Sequence, residues 1–307
     1  MVKWTASEIP SQKDRLAVVT GTGGLGFEDA LALARAGGEV IIAGRNPQKG
    51  AEAVDRIRSD IPSAKLRFER LDLASLRSVE DFAGRMMQRH ERLDILINNA
   101  GVMVPPARQE TEDGFELQFG TNYLGHFALT AHLLPLLQKG RDARVVTLSS
   151  VAARNGHIDF ADLQSAKTYN PNKAYAQSKI ACLIFARELQ RRSDLGRWGI
   201  ASIGSHPGVS RTDLLHNAPG RLSAVGLARS LLWFLFQPAA QGALPTLYAA
   251  TALQAQPGGY YGPDRLNETR GFPAMAKVPP QALDQAVAER LWQLSEQLTG
   301  VTMSRPA

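Results

Sequence analysis

The stretch "TGTGGLG", Thr20–Gly26, follows directly on the apolar run "LAVV", Leu16–Val19. Glycine lets backbone N–H groups converge on an anion, so this glycine-rich stretch behind a strand-like run reads as a phosphate-binding turn. Two registers fit it. Gly21, Gly23 and Gly26 match G-x-G-x-x-G. Thr20, Gly21, Gly24 and Gly26 match a longer loop, T-G-x-x-x-G-x-G, with one residue missing.

The context around the loop strengthens the reading. "GFEDALALARAG" at 26–37 reads as a helix ending at a glycine cap. "EVIIAG" at 39–44 reads as a second strand, and 47–60 as a second helix opened by Pro47. "KLRFERLDL", "LDILINNAG", "ARVVTLSS" and "GIASIGSHPG" are further strand candidates separated by helical stretches. This rhythm predicts an α/β protein: a Rossmann-like, doubly wound parallel sheet with helices on both faces. The chain of 307 residues suits one such domain spanning 1–307. Sheets of this kind bind ligands at the carboxyl ends of their strands, near the switch in strand order.

Composition excludes other classes. Hydrophobic content is 44% and charged content 21%, ordinary for a globular protein. The net charge of +6 is modest and scattered, which disfavours nucleic acid as a partner. Cys182 is the single cysteine, so no intrachain disulfide and no cysteine-based metal site is expected. His126, His157 and His206 form no metal-binding spacing and read as structural or cofactor-wall residues. The opening "MVKWTASEIPSQKDR" lacks the apolar core of a signal peptide, and no apolar run reaches the roughly 18 residues of a spanning helix. A cytoplasmic protein is expected.

The end of the second strand bears on the nucleotide. An enzyme using NAD usually places Asp or Glu there for the ribose hydroxyls. Here "IIAGRN" offers Arg45 and Asn46 and no acid, while Glu39 opens the strand at its far end. Arginine at that place can hold a 2′-phosphate through charge-assisted bonds, although a solvated loop arginine is the simpler alternative. NADP(H) is therefore expected over NAD(H).

"AYAQSK" places Tyr175 and Lys179 four apart, on one face of a helix. An ammonium beside a phenol favours the phenolate, and such a tyrosine can exchange a proton with an alcohol or carbonyl. Alone the pair would read as an ordinary surface contact. Its companions give it weight: "RVVTLSS" ending with Ser149 and Ser150, "LINNAG" with Asn98, Asn99, Ala100 and Gly101, "GTNYLGHF" with Asn122 inside a helical pattern, and "HPGVSRT" after the sixth strand.

With these pieces the sequence resembles the short-chain dehydrogenase/reductase family over essentially its whole length. "NNAGVM", "GTNYLGHFALT", "YAQSKIACLIFARELQRR" and the long gap from Ser150 to Tyr175 resemble its retinol-dehydrogenase-like branch. "GALPTLYAAT" and "GGYYGPD" resemble the C-terminal parts of bacterial members. The resemblance implies a catalytic set of Asn122, Ser150, Tyr175 and Lys179. Tyr175 would pass the proton and Lys179 would favour its ionised form and hold the nicotinamide ribose. Ser150, rather than Ser149, would orient the substrate oxygen, and Asn122 would support a water relay behind Lys179. Gly21, Thr22, Gly24, Leu25 and Gly26 would cradle the pyrophosphate, with Arg45 and Asn46 at the ribose. Asp72 and Leu73 would flank the adenine, and Asn99, Ala100 and Gly101 would pack beside the cofactor. Pro207, Gly208, Val209 and Thr212 would meet the nicotinamide end.

The loop departs from the family by one residue. Gly23 is expected to supply the unusual backbone angles that a shortened turn needs, with nucleotide binding kept but fewer or longer phosphate bonds. The stretch 221–236, "RLSAVGLARSLLWFLF", reads as a membrane-surface helix, an oligomer contact or a lid. Its place within the family's variable segment, about 209–240, favours a lid over an apolar carbonyl or alcohol. Asp213 with Thr212 could also start a short helix. Residues 280–300 read as an amphipathic helix with a glycine stop. Two other functions stay open: an extended-type epimerase or dehydratase, and a non-catalytic nucleotide-binding regulator. Subunit number and exact substrate are not readable from the residues.

Overall fold

Side chains alternate across Leu16–Thr20 (β1) with the period of a strand: Val18 packs on one side with Ile41, while Ala17 and Val19 pack on the other with Val40 and Ile42. Both faces are apolar, which is the mark of a sheet covered on both sides. The structure, a computed structural model, describes residues 3–210 and 237–303. Within them, Gly24–Arg35 (α1), Glu39–Gly44 (β2), Pro47–Asp60 (α2), Leu66–Arg70 (β3), Leu76–Arg89 (α3) and Ile95–Asn98 (β4) follow in turn. Next come Leu117–Phe119 (α4), a π-helical segment Gly120–Leu124 and Gly125–Leu137 (α5), which run on as one rod. Arg144–Leu148 (β5), Pro171–Gly196 (α6) and Ala201–Ser205 (β6) precede Ala239–Thr251 (α7), Tyr260–Arg265 (β7), Arg270–Met275 (β8) and Gln285–Thr299 (α8).

The eight strands lie in the order β3-β2-β1-β4-β5-β6-β7-β8. β1 and β4 are neighbours although they are not consecutive, so the order reverses between them. This is the switch point at which a doubly wound sheet opens a crevice. The parallel, doubly covered α/β architecture read from the sequence is what the chain forms, with one correction. β8 runs antiparallel to β7, so the sheet is not wholly parallel. The β7–β8 pair escapes sequence reading because "YYGPDR" and "RGFPAM" carry Gly and Pro, which look like breakers. Pro263 and Pro273 instead face each other at an edge pairing with a register shift.

Local signals place the helix ends. Asn46 caps α2 by accepting from Lys49 N at 3.0 Å, with Pro47 in its first turn. Asn170 caps α6 through Asn172 N and Lys173 N, again followed by proline. Gly37 follows α1 at φ +89°, and Gly300 follows α8 at φ +69°. One core lies between the sheet and α3, α5, α6 and α8. In it Phe127, Phe185 and Trp292 cluster with ring centroids 5.1–5.9 Å apart. The other core lies under α1, α2 and α7.

Asp29 on α1 is fully buried, and neither carboxyl oxygen has a hydrogen-bond partner among the described residues. Burial, with Glu28 adding to it, raises its pKa well above the usual carboxylate value. The folded state keeps a proton that the unfolded chain releases, so stability falls as pH rises from the ordinary carboxylate range toward the raised value. Asp29→Ala is expected to raise stability at neutral pH by about 1–3 kcal/mol, the cost of an unpaired buried polar group. The gain should shrink below about pH 4, where both states are protonated. Denaturant melts at the two pH values check this; equal or lower stability of the variant at neutral pH refutes it.

Candidate active site

Thr20 ends β1 at the switch point, and its hydroxyl joins the crevice. Oγ1 accepts from Asn99 N at 2.9 Å and from Ala100 N at 3.0 Å. Asn99 Nδ2 donates in turn to Thr20 O at 2.6 Å. The turn after β4 is thereby pinned against the glycine loop after β1. His126 Nδ1 lies 2.9 Å from Asn122 O, a carbonyl that can only accept, so Nδ1 carries the proton and Nε2 is left to accept from Thr20 Oγ1 at 2.9 Å. Burial keeps His126 neutral, with its pKa lowered to about 4. The structural reading of His126 therefore holds, and Thr20 is a joint that motif reading passed over.

The glycine loop is built for close approach. Gly21 has φ +103°, and a Cβ there would come within 2.7 Å of Asn99 Nδ2. A Cβ on Gly26 would come within 2.6 Å of both Asn99 Nδ2 and Gly21 O. Gly24 has φ +52°. Gly23, by contrast, is exposed and extended, with φ −135° and ψ 178°, as the residue that caps α1. The expectation that Gly23 supplies the unusual angles is corrected: Gly21 and Gly24 supply them. Thr22 packs toward Gly44 at the end of β2, where a Cβ would lie 2.9 Å from Thr22 Cγ2, and Leu25 reaches Gly242 of α7.

At the adjacent strand ends, Arg45 is exposed and makes no ion pair among the described residues. The Asn46 side chain is occupied in capping α2. Glu39 bonds Arg67 at 3.1 Å, far from Arg45 along the strand. Asp72 accepts from Ala74 N through its own side chain, and Leu73 is buried beneath Gly125. Asn98 is turned into the core toward Thr130 and Thr147, away from the crevice.

The residues singled out for chemistry converge from three elements. The π-helical segment gives Asn122 a widened turn, a feature often found at functional sites. Asn122 Oδ1 accepts from Val102 N at 2.7 Å, and Nδ2 donates to Val102 O at 3.0 Å and Ser178 Oγ at 2.9 Å. Its side chain therefore ties the turn after β4 to α6. Gly101 sits between: a Cβ there would come 2.9 Å from Asn122 Oδ1 and 3.6 Å from Lys179 Nζ. Lys179 is 5% exposed, and its ammonium donates to Leu148 O at 3.1 Å. Nζ lies 5.9 Å from the centre of the Tyr175 ring, one helical turn away. Cys182 is buried on the same helix with Sγ 3.2 Å from Asn122 O, as expected of a small core residue. Ser149 Oγ is spent on Lys179 O at 2.7 Å, whereas half-buried Ser150 only accepts, from Ala152 N at 3.2 Å, and keeps its own proton to give.

On the far wall, Pro207, Gly208 and Val209 follow β6. Gly208 has φ +65°, and Val209 N donates to Thr269 O at 2.7 Å. Ser210 pairs with Gln237, so the chain leaves and re-enters the described part at one place. Thr212, Asp213 and all but the ends of the 209–240 segment lie outside the described residues. No metal-binding cluster and no helix long and apolar enough to cross a membrane occurs among the described residues.

A doubly wound sheet with glycine-lined approaches on one side of its switch point and a Tyr–Lys pair on the other defines a nicotinamide-nucleotide oxidoreductase. Matching the short chain dehydrogenase model over residues 15–221, the chain belongs to the short-chain dehydrogenase family, in its retinol-dehydrogenase-like part. It is 42% identical over 300 residues to retinol dehydrogenase 13 of Mus musculus, covering 94% of this chain and 85% of that protein. It is also 42% identical to polyprenol dehydrogenase of Mus musculus, covering 95% and 86% of the two. The crystal structure of an uncharacterized protein from Mycobacterium paratuberculosis superposes with a TM-score of 0.82 at 37% identity, over 99% of this chain and 100% of that one.

The loop geometry separates two glycines that the sequence treats alike. Gly23→Ala should leave thermal stabilisation by a nicotinamide nucleotide nearly intact, because extended backbone suits any residue. Gly21→Ala should remove most of it, through the positive φ and the collision with Asn99. Thermal-shift titrations with NADPH distinguish the two, and equal losses in both variants refute the assignment.

Proposed function

We propose that the chain is an NADP(H)-dependent oxidoreductase that interconverts a carbonyl and an alcohol on an apolar substrate. The observation that carries this reading is the buried Lys179 ammonium, bonded to Leu148 O and facing Gly101, one helical turn from Tyr175. A buried cation with one protein acceptor has donors left for a bound partner, and Gly101 leaves the room for it. Gly21, Thr22, Gly24, Leu25 and Gly26 would hold the pyrophosphate, and Asn99 to Gly101 with Pro207 to Val209 would line the nicotinamide half. Arg45 would hold a 2′-phosphate. A bound nicotinamide supplies or accepts the hydride.

The chain's own residues manage the proton. In the reducing direction Tyr175 Oη gives its proton to the carbonyl oxygen, and Ser150 Oγ–H donates a hydrogen bond to the same oxygen. In the oxidising direction Tyr175 takes the alcohol proton. The Lys179 charge stabilises the phenolate formed when Tyr175 gives its proton up. Asn122 holds the frame, since its side-chain amide is occupied by Val102 and Ser178. An apolar substrate is supported by relatives named for retinol and polyprenol, alcohols with long hydrocarbon bodies.

Two variants test the proposal. Tyr175→Phe keeps the ring but has no proton to pass. With NADPH and a long-chain aldehyde its turnover should fall roughly a hundredfold or more, with cofactor affinity little changed. Near-normal turnover would overturn the mechanism. Wild-type protein should bind NADPH more tightly than NADH, and Arg45→Asp should lose most of that preference through repulsion of the 2′-phosphate. An NADH preference in the wild type, seen in paired binding titrations, removes Arg45 from the site.

A further inference from the structure

The β7–β8 hairpin turns through Leu266, Asn267 and Glu268, with φ of +47°, +53° and +61°. Side-chain-bearing residues seldom adopt this left-handed backbone even singly. Glutamate is a poor choice for it, where glycine or asparagine would serve better. An unfavourable backbone retained beside a site directs attention to the side chain it carries.

We propose that Glu268 is a positioning residue for the reaction, its carboxylate locking the loop that carries Ser150 to the loop that carries Pro207–Val209. The proposal rests on the reading of those two loops as active-site walls. Glu268 Oε2 accepts from Arg154 Nη2 at 2.7 Å and from His206 Nε2 at 3.1 Å, and Oε1 accepts from Lys277 N at 2.9 Å. Arg154 lies in the 3₁₀ turn Val151–Asn155 that directly follows Ser150, and its Nη1 also donates to Asn267 O at 3.0 Å. His206 directly precedes Pro207.

The histidine is held in one form. Gly208 N donates to His206 Nδ1 at 3.2 Å, so Nε2 bears the proton that goes to Glu268. Burial lowers the His206 pKa and favours this neutral ring. The ring fits because residue 262 is glycine: a Cβ there would come 2.0 Å from His206 Nε2. The same turn supports the loop from below. A Cβ on Gly208 would come 2.3 Å from Thr269 O, the carbonyl that accepts from Val209 N. Burial alone would raise the Glu268 pKa, but the bonds from His206, Lys277 N and Arg154 outweigh it and hold it at about 2. The carboxylate is therefore charged wherever the enzyme works, and it reaches both walls with charge-assisted bonds.

Glu268→Gln keeps the shape and removes the charge. Glu268→Gly removes the side chain but relieves the left-handed backbone, so the fold tolerates it. NADPH-binding sites per chain are counted by fluorescence titration, and turnover is divided by that count. Both variants are expected to bind one NADPH per chain at saturation, while turnover per bound cofactor falls roughly tenfold or more from misplaced reacting groups. The proposal is overturned if turnover per bound cofactor stays within about twofold of wild type, or if activity falls only in step with lost binding sites, which is what a structural role produces. Tyr175→Phe run alongside separates the two readings. If that variant turns over normally, the active-site assignment itself fails. If it is inactive while both Glu268 variants work normally, only the role of Glu268 falls.

Discussion

The crevice depends on the hydroxyl of Thr20. Strands β1 and β4 are adjacent in the sheet but far apart in the chain, and the loops that leave them must diverge to open a binding site. Thr20 Oγ1 sets how far they diverge. By accepting from Asn99 N and Ala100 N it keeps one loop beside the other, and through His126 it passes the constraint to the carbonyl of Asn122. Asn122 extends it through Val102 and Ser178 to α6, where Tyr175 and Lys179 sit. The glycine loop and the reactive helix are thus held by one chain of buried hydrogen bonds. Buried bonds of this kind are costly to leave unmade, which favours a single arrangement.

Much of this was legible in the residues. Strands β1 to β6 announced themselves as apolar runs, and α2 began and ended where Pro47 and Asp60 suggested. The Tyr175–Lys179 spacing, the Ser149–Ser150 pair and Asn122 were all visible, and the family assignment followed from them. The two serines differ in what they can still do: Ser149 is spent on a backbone carbonyl, while Ser150 only accepts from Ala152 N.

What was hidden depended on tertiary context. Nothing in "TGTGGLG" tells which glycines bear positive φ, or that Gly21 lies against Asn99, some eighty positions along the chain. The β7–β8 pair was masked by Gly and Pro, whose meaning reverses at a sheet edge. Glu268 belongs to no local motif, since its partners Arg154 and His206 come from two other loops. Asp29 likewise looks like any charged residue of an amphipathic helix, and only the folded chain shows it fully buried.

The cover over α6 has a consequence for the order in which the chain matures during synthesis. Phe127 of α5 and Phe185 of α6 meet the Trp292 ring from α8, and Tyr123 shares a hydrogen bond with Ser295 of the same helix. Domains form from the N-terminus as the ribosome delivers them. Neither core over β1, β2 and β4 is complete until α7 and α8 have been made, since Ala243 and Leu247 of α7 join one and Leu291 and Trp292 of α8 join the other. The helix bearing Tyr175 and Lys179 keeps an apolar flank exposed until α8 is made. A chain broken off shortly before Trp292 would leave that flank open to chaperones and proteases.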